Sequence, residues 1–176
     1  MIAIRPAVAS DAARLAALRW DFRAGRAPAI ETREAFVARC ADWMRGALDT
    51  STWRSWVAAE PAGPEIVGHV WLHVLAKIPN PVGEPDRHAY LSNLFVLPSA
   101  RGGIGSRLLE AALAWSAEQQ IDRIVLWPSP RSVRLYERHG FARVGDVMEL
   151  RCADRASLPP GPPGPPGLAG PPSTTR

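Results

Sequence analysis

The stretch Phe95-Val96-Leu97-Pro98-Ser99-Ala100-Arg101-Gly102-Gly103-Ile104-Gly105-Ser106 decides how the chain is read. Its first residues close an apolar, strand-like run that Pro98 stops. Its last open a helical pattern in which Ile104, Leu108, Ala112 and Trp115 share one side. Between them strand must pass to helix through a turn rich in glycine. The first N–H groups of a helix lack intrahelical acceptors and carry a partial positive charge. With no β-carbons in the preceding turn, an anion can approach those amides directly. Gly102, Gly103, Ile104, Gly105 and Ser106 therefore suit a pyrophosphate, with Arg101 as a charged donor beside it.

Other uses of such a turn exist: dinucleotides, nucleoside triphosphates, or simple chain reversal. Two of these are disfavoured. No Gly-Lys-Ser/Thr ending supplies the lysine and hydroxyl of a nucleotide phosphate loop. A dinucleotide fold places its glycine turn after the first strand of a parallel βαβ unit, whereas here it follows the fourth.

Working toward the N-terminus, residues 88–97 read as that fourth strand, preceded by a loop holding Pro79, Pro81, Gly83 and Pro85. Residues 66–77 and 53–60 read as a hairpin joined through Pro61-Ala62-Gly63-Pro64. Two helices come before it. Ser10 and Asp11 offer an N-cap to the first, with Leu15, Leu18 and Phe22 at helical spacing. Thr32 caps the second, whose expected apolar stripe is Phe36, Cys40, Trp43 and Ala47. A first strand is expected over residues 2–7.

Toward the C-terminus, residues 121–127 read as a strand and residues 132–138 as a short helix. Gly140 supplies its left-handed C-cap, and residues 141–151 read as a final hairpin. Residues 159–170 then repeat Pro-Pro-Gly three times before Leu-Ala-Gly. Four triplets are too few for a collagen triple helix, so the expectation is a disordered, polyproline-rich tail.

Composition bounds the rest. The chain has 176 residues, 47% of them hydrophobic and 22% charged, which suits one globular domain plus the tail. No apolar run approaches the ~20 residues of a membrane span. Residues 1–6 lack the pattern of a signal peptide, so a cytoplasmic protein without a membrane association is expected. A net charge of +4 suits a phosphate-bearing ligand. It also suits weak nonspecific nucleic-acid binding; the arginines are scattered rather than in a run, charge alone does not choose a partner, and no nucleic-acid partner is expected. Cys40 and Cys152 lie in no metal-binding spacing and read as buried, reduced thiols. His69 and His73 share a strand face but stand about 13 Å apart in extended chain, and no metal site is expected.

A second segment gives the turn its context. Trp127-Pro128-Ser129-Pro130-Arg131-Ser132-Val133-Arg134-Leu135-Tyr136-Glu137-Arg138-His139-Gly140-Phe141 ends in Leu-Tyr-Glu-x-x-Gly-Phe. Alone, Tyr136 reads as an amphipathic ring packed on a sheet. In this order and separation, the two segments resemble the signatures of the GNAT superfamily of acetyl-CoA-dependent N-acetyltransferases, most of all its small bacterial members. The glycine turn resembles the family's Arg/Gln-x-x-Gly-x-Gly/Ala loop, with two departures. Aligning Gly103 and Gly105 with the signature glycines puts Ala100 in first place and Arg101 one place late, so the loop is one residue short. Ser129 stands where many members carry Asn.

The resemblance implies an α/β (α+β) fold: a mixed, mostly antiparallel central sheet with helices on both faces, in the order βααβββαβαββ. It implies a domain over residues 1–153 and a Pro/Gly-rich tail over 154–176. Acetyl-CoA is the implied co-substrate, with no metal. The backbone near Phe95 and Val96 polarises the thioester, Arg101 to Ser106 hold the pyrophosphate, and Ser129 is at a cofactor-contacting position. Tyr136 is the implied catalytic residue, pointing at the sulfur. The acceptor is a small-molecule or peptide amine, with Trp20 and Trp43 on helices that wall its pocket. Asp21, Glu84, Asp86 and His88 are candidate bases, and a homodimer is a common state for the family. Two other readings stand beside catalysis. The short loop and Ser129 suit a non-catalytic acyl-CoA-binding sensor or scaffold, and the tail suits a partner-recruiting protein.

Overall fold

In a computed structural model of the chain, the described residues are 2–23, 28–60, 65–100, 102–145 and 148. The chain divides into two units, Met1–Phe141 and Ala142–Arg176. The first contains β1 (Ala3–Pro6), α1 (Ala12–Arg23), α2 (Arg33–Leu48), β2 (Trp53–Ala59), β3 (Ile66–Ala76) and β4 (Arg87–Val96). It continues with α3 (Ile104–Glu118), β5 (Arg123–Val125) and α4 (Val133–Arg138). The five strands lie side by side in sequence order. The first three pairings are antiparallel and β4–β5 is parallel. This is the expected mixed, mostly antiparallel sheet.

Side chains alternate across the strands and bury both faces. Trp56, Ala58, Val70, Leu72, Ala89 and Leu91 join Ile104, Leu108, Leu109 and Ala112 of α3 and Tyr136 of α4 in one core. Val57, Ala59, Ile66 and Trp71 pack on Leu15, Ala16 and Leu18 of α1 and Ala41, Met44 and Ala47 of α2 in the other. Helices thus cover both faces, as expected. Of the α3 stripe read from sequence, Ile104, Leu108 and Ala112 are buried and Trp115 is half-buried, while Leu109 and Ser116 are buried beside them.

Several local expectations need correction. Asp11 is not an N-cap. It ends the 3-10 turn Ala9–Asp11, accepts the Val8 N–H at 2.9 Å and receives both terminal nitrogens of Arg5 at 2.7 and 2.9 Å. Thr32 does cap α2, accepting the Ala35 N–H at 3.2 Å. The stripe of α2 differs, however: Ala41, Met44 and Ala47 are its buried residues, while Trp43 is 52% exposed and Cys40 is half-buried. Burial still raises the Cys40 thiol above its ordinary value. The fifth strand is three residues long rather than seven. Of the final hairpin, Phe141 to Gly145 carry no strand. Most of its remainder, the turn at 61–64, Cys152, the boundary at 153 and the tail lie outside the described residues. No helix among the described residues is long and apolar enough to cross a membrane.

Candidate active site

β4 is bonded on both sides only at its start. His88, Ala89 and Tyr90 pair with Arg123, Ile124 and Val125, and there the β5 ladder ends. From Leu91 onward, β4 has no β5 partner, and the sheet opens into a fork. The β3 side changes as well. Trp71 pairs with Ser92 and His69 with Phe95, so β4 carries one extra residue there. Asn93 absorbs it with φ 54, a left-handed conformation that Asn tolerates better than most residues.

The register also assigns the amides. Leu97 N–H donates to Val67 O at 2.8 Å, toward β3. Backbone groups alternate along a strand, so the Phe95 N–H points the same way, while those of Val96 and Leu94 face the fork. Of the two expected residues, Val96 therefore offers a donor with no partner among the described residues. Leu94, absent from the sequence reading, offers a second.

At the end of β4 a 3-10 turn, Pro98–Ala100, leads to α3. Gly103 is the N-cap with φ 87, and Gly102 before it has φ 132. Both are exposed, and a β-carbon on either would meet nothing within 4 Å, so the space above the turn is open. The first helical bond of this turn runs from Arg107 N–H to Gly103 O at 3.1 Å. The amides of Ile104, Gly105 and Ser106 have no acceptor among the described residues. Ile104 is anchored in the core at 7% exposure, which fixes the direction of those amides. An anion bound there would meet the positive end of a 15-residue helix. Arg101 lies outside the described residues.

Tyr136 packs in the same core as Ala89 and Leu91 of β4 and the buried face of α3. Its helix ends in two bonds of a Schellman motif: Gly140 N–H to Glu137 O at 3.1 Å and Phe141 N–H to Tyr136 O at 3.1 Å. Gly140 has φ 85, as the sequence implies. The tyrosine ring packs edge-on to Phe141, with centroids 5.6 Å apart. The residue is 9% exposed, and its hydroxyl makes no hydrogen bond among the described residues. Burial holds its phenol above the ordinary value, and the nearby Tyr90 phenol adds to the effect. Tyr90, the last residue of β4 paired with β5, packs edge-on to Trp127 with centroids 5.1 Å apart. The sequence reading passed over Tyr90 because one tyrosine in a strand looks like ordinary packing.

The other expected residues are dispersed. Ser129 is turned to local use, with its hydroxyl 2.9 Å from that of Ser132 at the start of α4. His88 lies 3.0 Å from Asp122, whose carboxylate is 3.6 Å from Lys77 Nζ; Glu84 is 3.9 Å from the same ammonium. That cluster sits at the start of β4. Five residues of extended strand, about 17 Å, separate His88 from Asn93. Asp21 and Asp86 are exposed. Trp20 packs on Phe36 at 5.6 Å, beside a groove of about 210 Å³ that also includes Arg23 and Glu31. Trp43 belongs elsewhere, with Trp53 and Trp71 at 5.3 and 6.1 Å. The structure therefore does not bring Trp20 and Trp43 together. A larger cavity, about 550 Å³, lies by Trp53, Arg54 and Trp115 at the other end of the sheet and contains none of the expected site residues. Among the described residues, no group of three or more His, Cys, Asp or Glu side chains could hold a metal.

The family model described as the acetyltransferase (GNAT) family matches residues 15–141. A GCN5-related N-acetyltransferase of Ralstonia eutropha is similar in structure with a TM-score of 0.68 and 27% identity, over 86% of this chain and 99% of that one. A protein of Clostridium acetobutylicum described as a predicted acetyltransferase, solved with acetyl-CoA, has a TM-score of 0.71 and 22% identity, over 88% and 98%. An aminoglycoside N-acetyltransferase in complex with CoA has 0.62 and 19%, over 86% and 94%. The last two likenesses concern the fold alone. No curated protein matches the sequence.

Proposed function

Because this chain belongs to the acetyltransferase (GNAT) family, we propose that it transfers an acetyl group from acetyl-CoA to a primary amine by direct attack in a ternary complex. One observation supports the reading: β4 leaves β5 after Tyr90, the α3 amides beyond its far end have no acceptor among the described residues, and Tyr136 lies close enough to Tyr90 to feel its charge. A pyrophosphate on the α3 amides would let the pantetheine arm run along the fork. Its thioester would then lie near Tyr136, with the oxygen toward Leu94 and Val96.

The chemistry needs few groups. The neutral amine forms a bond to the thioester carbon, and charge grows on the oxygen, which the Leu94 and Val96 amides would stabilise. The C–S bond then breaks, the sulfur takes a proton from the Tyr136 hydroxyl, and the proton that the nitrogen gives up passes through water to restore the phenol. Alignment of the two reactants supplies several kcal/mol of barrier reduction, and proton donation to sulfur about 10²-fold. The acceptor is a small-molecule or peptide amine that enters from the α1–α2 side, near Trp20.

Two measurements test this reading. Calorimetric titration should show acetyl-CoA binding, and a thiol-release assay across an amine panel should identify acceptors. No binding to acetyl-CoA sinks the reading. Binding without turnover against every amine class would instead make the chain an acyl-CoA sensor.

A further inference from the structure

The extra residue of β4 is held from outside the sheet. Asn93, with φ 54, accepts a hydrogen bond on Oδ1 from Arg19 Nη1, reaching across from α1. Arg19 is half-buried, and its guanidinium lies 5.9 Å from the Phe22 ring centroid. Phe22 in turn packs on Phe95 at 5.2 Å, two residues past Asn93. The last turns of α1 thus clasp β4 on both sides of Leu94. From β3, His69 faces the same region fully buried, and burial followed by the nearby Arg19 charge keeps its imidazole neutral. A protonated imidazole there would repel the guanidinium.

Left-handed backbone costs a residue with a β-carbon, less for asparagine than for most, and a side-chain bond from a neighbouring element adds to its hold on that conformation. The Asn93 backbone sets the direction of the next amide, that of Leu94, which faces the fork. We propose that Arg19 is a positioning residue for acetyl transfer: by fixing Asn93 in its left-handed conformation, it aims the Leu94 N–H at the thioester oxygen. This rests on the acetyl-transfer reading. It adds a residue of α1 that touches neither cofactor nor reacting atoms.

A spectroscopic measurement separates aim from mere support and needs no known acceptor. Acetyl-CoA labelled with ¹³C at the carbonyl is bound to the full chain, and its C=O stretch is read by difference infrared or Raman spectroscopy. In the wild type the stretch should fall below its value in water. Arg19→Met, which keeps the stem over Phe22, should lose at least about half of that fall while CoA affinity changes less than about twofold. Asn93→Ala removes the same bond from its other end and should give the same loss, so the test stands if either variant fails to fold. Glycine reaches positive φ unaided, so Arg19→Met combined with Asn93→Gly should recover the fall. An undiminished fall in Arg19→Met or Asn93→Ala overturns the inference, as does a double variant no better than Arg19→Met. If the wild type itself does not bind acetyl-CoA, the acetyl-transfer reading fails first. If it binds and only the variants disobey, the inference alone fails.

Discussion

Gly68 faces Val96 across the β3–β4 ladder with no room for a side chain. A β-carbon on Gly68 would stand 2.9 Å from the Phe95 carbonyl oxygen, 3.0 Å from Val96 Cγ2 and 3.3 Å from Leu108 Cδ1. Two of these neighbours belong to the strand segment that lines the fork, and the third anchors α3. Gly68→Ala is therefore expected to cost about 1–3 kcal/mol of stability through overpacking. It should also weaken acetyl-CoA binding by displacing β4. Denaturant midpoints and titration read both effects, and an unchanged pair would refute the tight contact.

Tyr136→Phe removes one oxygen and keeps the ring against Phe141. Acetyl-CoA affinity should hold, while kcat with a competent amine falls at least about tenfold. Because burial raises this phenol, it keeps its proton throughout the neutral range. An alkaline loss of kcat due to Tyr136 should therefore appear only above about pH 10. A variant as fast as the wild type would remove the tyrosine from the reaction.

Asp11 is 8% exposed. Burial alone would raise its pKa, but the Arg5 hydrogen bonds and the Val8 amide outweigh that, and the carboxyl sits below its ordinary value. A lowered folded pKa contributes stability that is present above the unfolded value, near 3.8, and is lost as pH falls through the folded one. Asp11→Asn should cost about 1–3 kcal/mol at pH 7. The gap to wild type should narrow below about pH 3.8. A gap independent of pH would show that the charge is not what matters.

His69 has no exposed surface, and neither ring nitrogen has a partner among the described residues. Its pKa is lowered from 6.5 to about 3, mainly by burial and secondarily by Arg19. Between those values the unfolded chain takes a proton that the folded one refuses. Stability should fall as pH drops from 6.5 toward 3, by up to about 1.4 kcal/mol per pH unit from this group. His69→Leu removes the unpaired nitrogens at similar volume. It should gain about 1–3 kcal/mol at pH 7 and lose that acid dependence. Unfolding curves at pH 4.5, 5.5 and 7 decide it, and a destabilised, equally acid-sensitive variant would contradict it.

The parts of the site set by local rules were readable in the sequence. Gly102 and Gly103 take positive φ before α3, Gly140 takes it after α4, and Thr32 caps α2, because each depends on a few neighbouring residues. Parts that depend on register were not. Asn93 in an apolar strand looks like a weak strand former, although its tolerance of left-handed backbone was the one available hint of a bulge. Residues 121–127 have the composition of a longer strand, and only the departure of β5 from β4 after Val125 shortens it. Trp43 looks apolar enough for a core, yet α2 turns Met44 inward instead. For His88, position along the chain gave no sense of how far the start of β4 lies from its bulge.

The unzipped half of β4 has a consequence for handling the protein. Beyond Tyr90, a run of strand backbone faces the fork with no β5 partner among the described residues. Such a seam accepts any extended chain of the right length, including another copy of itself. Coenzyme A would act as a cover as well as a reagent. A preparation depleted of it should clump first, and one kept saturated should stay clear at concentrations where the bare chain clouds.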